Sequence, residues 1–411
     1  MRVLDATGTA PGGLRAYLDN AATTPVRAEA ARAMLAVMGA DAPARAGGTF
    51  ANPSSVHRWG LAAAAAVAAA RETLATRLGC APADIVFTSG ATEANHLAIL
   101  GLCRARARAG RHVITARIEH NSVLSACAAL AEDGGEVTAL PVSARGLLSP
   151  DAVAAAVRPD TVLCAFAHVN NEVGSVQPVA AIAVALRRAA AAAGARVALH
   201  VDGVQALGKV PTPYAAWGVD LAAVSAHKLG GPKGVGALMA RGVRLLPPVP
   251  GGSQEGGLRP GTENVPGIAG FAAALATSDA AGAERMRALK LRLVDGLRVA
   301  LPALAVNGPD PAAEDAAPHI VNLAFDAVAR VPAEVLLHAL EAEGIACSAG
   351  SACSARAPRP SHVLAALGLP GARLRGSLRF SLGLETTAQE IDWAVARIPP
   401  ALAALGRAAL R

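Results

Sequence analysis

Through the middle of the chain, short apolar runs alternate with longer stretches of helical character. Ile85-Val86-Phe87-Thr88 is one such run; Ser89-Gly90 follows, then a helical stretch over 91–108. Residues 112–115 read as the next strand and 122–132 as the next helix. Strands over 161–169, 197–201 and 221–225 continue the series, with a helix over 180–193. Strands separated by helices of about 10–15 residues predict βαβ units around a mostly parallel sheet. A Gly/Pro-rich stretch, 247–266, breaks this rhythm, and a long helix is predicted over 281–301. Beyond it, strands at 320–325, 345–347 and 378–381 and helices at 333–343 and 388–405 predict a second, smaller α+β domain. No internal repeat is found.

Composition narrows the class. With 411 residues, 53% hydrophobic and 17% charged, the chain can bury a large core, and disorder is excluded. At about 100–200 residues per domain it has room for two or three. A net charge of +7 without a run of five basic residues, and 3% aromatics, argue against nucleic acid as a partner. An anionic small ligand fits this bias at least as well. Residues 1–15 lack the apolar segment of a signal peptide. The apolar stretches 61–70 and 179–186 are too short for a bilayer and end at Arg71-Glu72 and Arg187-Arg188. A soluble cytoplasmic protein is expected, with no membrane partner. Six cysteines without a CxxC pair fit a reducing compartment and weaken zinc and thioredoxin readings, so no metal is expected.

The strongest local chemical signal is Val224-Ser225-Ala226-His227-Lys228-Leu229-Gly230-Gly231-Pro232-Lys233-Gly234. A lysine leaving an apolar strand into a glycine-rich turn can be desolvated and serve as a nucleophilic amine. A surface turn with two lysines accounts for the segment equally well on its own. Asp202, in His200-Val201-Asp202-Gly203-Val204-Gln205, ends the preceding strand, where side chains point into the ligand crevice of an open α/β sheet. A pyridoxal phosphate ring needs such an acid at its nitrogen. Alone, Asp202 reads as a helix cap; together with Lys228, one βα unit away, it reads as part of a site. Thr88-Ser89-Gly90-Ala91-Thr92-Glu93 joins a strand to a helix, with small residues and unpaired amides suited to a phosphate, or to a plain capped helix. His120, in Ile118-Glu119-His120-Asn121, is placed to stack on a cofactor ring or to be an ordinary loop residue.

Taken with Tyr17-Leu18-Asp19-Asn20-Ala21-Ala22-Thr23-Thr24-Pro25, Asn52-Pro53-Ser54-Ser55-Val56-His57 and His168-Val169-Asn170-Asn171-Glu172-Val173-Gly174, these segments occur in the order and spacing of one family. The chain closely resembles the cysteine desulfurases of the NifS/IscS type, in the class V aminotransferase group, from about Tyr17 to Leu405. The resemblance implies an α/β fold, the pyridoxal-phosphate-dependent transferase fold type I. It implies a large domain over 27–282, with a mostly parallel seven-stranded sheet, and a small domain from 1–26 and 283–411. It implies pyridoxal 5'-phosphate as cofactor, L-cysteine as substrate, a homodimer, and a protein sulfur acceptor for iron–sulfur cluster assembly, tRNA thiolation or related use. The alternative is a selenocysteine lyase or another class V aminotransferase.

The resemblance also implies roles. Lys228 is the Schiff-base lysine, Asp202 the partner of the ring nitrogen, His120 the stacking residue and Gln205 the partner of the ring hydroxyl. Asn171 lies between cofactor and substrate. Ala91, Thr92, Ser225 and His227 face the phosphate, and Thr262, in Arg259-Pro260-Gly261-Thr262, reaches it from the second subunit. Arg379, in Ser377-Leu378-Arg379-Phe380-Ser381, clamps the substrate carboxylate, a task that suits a planar guanidinium fork. The nucleophile is Cys353, in a small, polar, glycine-containing segment with Arg356 nearby to favour thiolate. The distance from Cys353 to Ser361 matches the long-loop branch of the family. Cys80, Cys103, Cys127, Cys164 and Cys347 are expected to pack in apolar surroundings. Gly203 and Ser253 depart from the family pattern without removing a functional group, and the short segment after the last helix points away from the general iron–sulfur scaffold.

Overall fold

A computed structural model describes residues 15–39, 49–325, 328, 331–350 and 361–409. Among them the chain forms twelve strands. These are β1 (Ala16–Tyr17), β2 (Ile85–Thr88), β3 (His112–Ala116), β4 (Glu136–Leu140), β5 (Thr161–Ala167) and β6 (Ala198–Asp202), followed by β7 (Leu221–Ser225), β8 (Gly236–Ala240), β9 (Leu304–Asn307), β10 (Ile320–Phe325), β11 (Ile345–Ala346) and β12 (Ser377–Ser381).

The main sheet has the order β2-β8-β7-β6-β5-β3-β4. Its neighbours from β7 to β4 are parallel, while β8 runs antiparallel between β2 and β7. The interior strands β3, β6 and β7 are buried at every position, as expected of a sheet covered on both faces. Alternate residues feed two different cores. Ile114, Phe166, Val201 and Val224 enter one, and Val113, Leu163, Ala165 and Ala223 the other, because successive side chains on a strand point to opposite faces. A separate core joins Leu18, Leu293, Leu323, Phe380 and Ile398, drawn from both ends of the chain. It is built on the antiparallel sheet β12-β10-β9 and on the parallel pair β1-β11. The helix His362–Ala366 sends Val363 and Leu364 into the core of the main sheet instead.

The predicted strands and helices are present with ends shifted by a few residues. The irregular stretch expected up to residue 266 ends earlier than predicted, because a helix begins at Val265 and runs to Ala276. Asn264 caps it through Gly267 N (3.1 Å), and Pro266 falls in the first turn, where no amide partner is lost. Its glycines serve close packing: a Cβ at Gly270 would stand 2.7 Å from Met34 Cγ on the helix Ala28–Met38. Strands β4, β8 and β9 and the helices Ala28–Met38 and Pro150–Ala155 also lie outside the predicted set.

Lys290 lies fully buried on the helix Ala280–Ala300 and donates to Ala317 O at 2.7 Å. Burial first, and then Arg287, push its amine down to about 7 against the opposing pull of Asp310. Between that value and the ordinary one near 10.4, the unfolded chain binds more protons than the folded one, so this group makes stability rise with pH. The stability difference between wild type and Lys290→Met is expected to move in favour of wild type by on the order of 2 kcal/mol from pH 7 to pH 9. Urea unfolding of both proteins at the two pH values measures it, and a pH-independent difference would contradict a neutral Lys290.

Candidate active site

At the carboxyl edge of the main sheet lies a cavity of about 560 Å³. The sheet places it there: β2, β3, β5, β6 and β7 are mutually parallel in direction, so the segments leaving them open on one edge. Ala91, Thr92, His120, Asn171, Asp202, Gln205, Ser225, His227, Lys228 and Arg379 all line this cavity. Thr262 does not; it is exposed elsewhere on the surface. Cys353 falls outside the described residues.

Lys228 closes the short 3₁₀ turn Ala226–Lys228 that follows β7. Its Nζ donates to Ala21 O (2.8 Å) and Ala22 O (2.6 Å). Thr24 fixes the same junction by donating to His227 O (3.0 Å) and accepting from Gly230 N (2.8 Å). Gly230 has φ +90°, and a Cβ there would stand 2.4 Å from Arg27 side-chain carbons, so the turn requires glycine. The N-terminal segment therefore forms one wall of the lysine's setting.

On the floor, Asp202 is buried and organised by a chain of side chains. Asp202 Oδ2 accepts from Asn95 Nδ2 at 2.8 Å, and Oδ1 accepts from Val204 N at 3.1 Å. Asn95 Nδ2 also donates to Ser122 Oγ (2.9 Å), while its Oδ1 lies 2.8 Å from His200 Nε2. Ser122 Oγ lies 2.8 Å from His120 Nδ1, which also accepts from Ser122 N at 3.1 Å. Because Nδ1 accepts a backbone N–H, the neutral ring carries its proton on Nε2. Burial, helped by Lys228 and His362 and opposed by Asp202, lowers the His120 pKa and favours that neutral ring.

At one end of the cavity, Thr92, Ser225 and His227 present small polar groups. His227 Nδ1 is 3.1 Å from Thr23 Oγ1. Burial and then Lys228, Lys233 and Lys209 push this imidazole down to about 4, so it is neutral near pH 7. Glu93 accepts from Ser89 N at 2.5 Å and pairs with Arg259 at 3.4 Å, which holds the start of the helix Ala91–His96. Toward the smaller core, Arg379 donates to Asn171 O (2.9 Å) and to Asp19 Oδ1 (2.8 Å).

The class-V aminotransferase family model matches residues 16–393. The chain is 38% identical to the cysteine desulfurase IscS of Dictyoglomus turgidum over 92% of each protein. Among solved structures it is similar to a NifS-like protein (TM-score 0.85, 33% identity, 95% of this chain and all of that one). It is also similar to SspA in complex with cysteine (TM-score 0.75, 34% identity, 90% of this chain and all of that one). The chain belongs to the cysteine desulfurases of the class-V aminotransferase family.

The cofactor of this family is pyridoxal phosphate, and the residues of the desulfurase's cavity fit it. A volume of about 560 Å³ is of the size that holds a small cofactor with substrate. The donor set has the right chemistry at each end: a buried carboxylate for a ring nitrogen, an amine for an aldehyde, and hydroxyls with a neutral imidazole for a phosphate.

Several residues of the desulfurase site escaped the sequence reading. Asn95 is fully buried on the helix Ala91–His96, but Thr92, Glu93 and His96 around it are polar too, so nothing in the sequence singles it out. Gln205 Oε1 lies 3.2 Å from His319 Nε2 and 3.5 Å from Lys209 Nζ, which orients the amide nitrogen toward Ala21 O at 3.0 Å. Burial, then Lys228, hold the Lys209 amine down to about 7. Glu119, next to His120 in the chain, is buried; burial and then Asp202 push its carboxyl well above the usual range. Glu172 Oε2 accepts from Ser361 Oγ at 2.5 Å, and a Cβ on Gly350 would stand 3.0 Å from the same oxygen. One buried carboxylate thus meets both residues flanking the 351–360 segment. Cys103 and Cys127 are buried, and burial pushes both thiols up to about 12; it raises Cys164 and Cys347 further. Burial also raises Cys80 to about 11. Cys103, Cys127 and Cys164 are buried as expected, whereas Cys80 and Cys347 are only partly buried; the raised pKa of all five is that of unreactive thiols.

Proposed function

We propose that this desulfurase takes the sulfur atom from L-cysteine, releases L-alanine, and leaves the sulfur on Cys353 as a persulfide. The observation that carries the reading is the convergence on one cavity of His120, Asp202 and Lys228, from the carboxyl ends of β3, β6 and β7, with Arg379 from the middle of β12. When bound, pyridoxal phosphate supplies an electron sink for the substrate Cα. Asp202 keeps a proton at the ring nitrogen, and its own orientation is held by Asn95. Lys228 removes and returns protons at the substrate Cα. Arg379 and Asn171 hold the substrate carboxylate, and His120, with its proton on Nε2, serves proton transfers near the substrate sulfur. The Cys353 thiolate forms a bond to that sulfur as the substrate carbon–sulfur bond breaks, so L-cysteine and the Cys353 thiol become L-alanine and a Cys353 persulfide. Loss of the persulfide sulfur to a protein acceptor then restores the thiol.

The reading extends to the assembly. Thr262 is exposed away from its own cavity, which supports a homodimer in which Thr262 of each subunit completes the other subunit's phosphate end. Residues 27–282 would act as the large domain, and 1–26 with 283–411 as the small one. No helix among the described residues is long and apolar enough to cross a membrane, and the proposal places the enzyme in the cytoplasm, where reduced thiols and sulfur acceptors are found. The purified protein, supplied with pyridoxal phosphate, L-cysteine and a thiol reductant, is expected to yield alanine and sulfide in equal amounts. Pyruvate or keto-acid formation without alanine would point to an aminotransferase or lyase and overturn the reading.

A further inference from the structure

Arg379 is the largest of the fully buried side chains, and its guanidinium enters the cavity already paired. Its side chain is 1% exposed, against 20% for Asp19, whose Oδ1 accepts from Nη2 at 2.8 Å. Nη1 donates to the Asn171 carbonyl at 2.9 Å, and the buried Nε has no hydrogen-bond partner. A guanidinium carries five N–H groups, and a carboxylate bound in fork geometry takes two of them. Sites therefore remain for an incoming carboxylate, but the positive charge is shared with Asp19 before any substrate arrives.

From this geometry we infer that Asp19 is an affinity-setting counter-ion: it neutralises and aims Arg379 in the resting enzyme and competes electrostatically with the substrate carboxylate. The inference rests on the proposed reading of Arg379 as the carboxylate clamp. Two physical requirements meet at this residue. A buried guanidinium left without a counter-charge is strongly disfavoured, so the substrate-free site needs an anion beside Arg379. Two carboxylates on one guanidinium repel each other, so that same anion weakens every carboxylate ligand and eases product departure. Asp19 also sits beside the β1–β11 pair and bridges to Ser381 at the end of β12, so its backbone is held by strands rather than by a loop.

Asp19→Asn and Asp19→Ala separate the two functions. Asparagine keeps an oxygen acceptor for Nη2 and removes the charge; alanine removes both. For Asp19→Asn, the KM for L-cysteine and the Kd for L-alanine are expected to fall about three- to tenfold, with kcat unchanged or lower as product leaves more slowly. The Kd is read without turnover, from the absorbance change of the holoenzyme on adding L-alanine. For Asp19→Ala, both constants are expected to rise, because the guanidinium loses its anchor. If Asp19→Ala does not fold, Asp19→Asn alone decides. Arg379→Lys is expected to raise both constants at least about tenfold, since an ammonium offers no planar fork. Raised constants in both Arg379→Lys and Asp19→Asn would overturn the counter-ion inference and leave the clamp standing, as would an unchanged Asp19→Asn. An unchanged Arg379→Lys would overturn the clamp itself.

Discussion

Cys353→Ala is expected to abolish alanine formation from L-cysteine, with a fall of at least about a thousandfold, while pyridoxal phosphate stays bound. The reason is the division of labour in the proposed reaction. Asp202, His120, Gln205, His227 and Lys228 line the cavity, and the substitution changes none of these proposed cofactor-binding groups. L-cysteine should still bind and still change the visible absorption of the holoenzyme, because Arg379 and Lys228 remain. What is lost is the acceptor for the sulfur atom: without a thiolate to form the new sulfur–sulfur bond, the substrate carbon–sulfur bond has no partner into which to break. Cys347 is not a substitute, because burial and then the charge of Asp19 raise its thiol against the opposing pull of Arg379, leaving it protonated. The measurement is a pair: alanine release, and the absorbance change on adding L-cysteine. Alanine release near the wild-type rate would remove the persulfide mechanism and favour a lyase or aminotransferase. An unchanged spectrum would mean that the substitution damages substrate binding instead.

Lys228→Ala is expected to fail earlier and more completely. Removing the proposed Cα base costs about 10²–10⁴-fold by itself, and loss of the proposed covalent cofactor attachment adds to it. The discriminating readout is exchange of the L-alanine Cα proton with deuterated water, which Cys353→Ala should retain and Lys228→Ala should lose. Borohydride reduction of the wild-type holoenzyme, followed by peptide mapping, should place pyridoxal on Lys228. Lys233 lines the same cavity and is the natural control. A label on Lys233 would reassign the nucleophile, and retained Cα exchange in Lys228→Ala would reassign the base.

The lysine, the aspartate and the small-residue turn after β2 were legible because each lies at the end of an apolar strand or just beyond it. In a parallel sheet, residues at that position point toward one crevice, so local periodicity carries information about a shared site. Asp202 ends β6 and Lys228 closes the turn after the neighbouring β7, and their relation follows from two consecutive strand assignments. Asn95, which ties Asp202 to His120 through Ser122, was not legible in the same way. It sits mid-helix, and nothing local says which strand end its amide meets. Lys209 bears no local signal of its place either, because a lysine near a turn carries no mark of burial.

By itself the sequence determined the alternation of strands and helices from β2 to β7 apart from β4 and the helix Pro150–Ala155, the order of the cavity's contributing segments, and the residue types offered at each. These depend on period, capping and turn chemistry, which act within a few residues. The tertiary structure decided what joins across the chain. It set β1 beside β11, and Asp19 against Arg379 at a separation of 360 residues. It inserted β8 antiparallel into the main sheet, and it started a helix at Val265 inside a stretch rich in glycine and proline. Such pairings are selected by the total apolar surface that the folded chain can bury and by the counter-charges its buried ions require. Both are properties of the whole chain, and no short window of residues contains them.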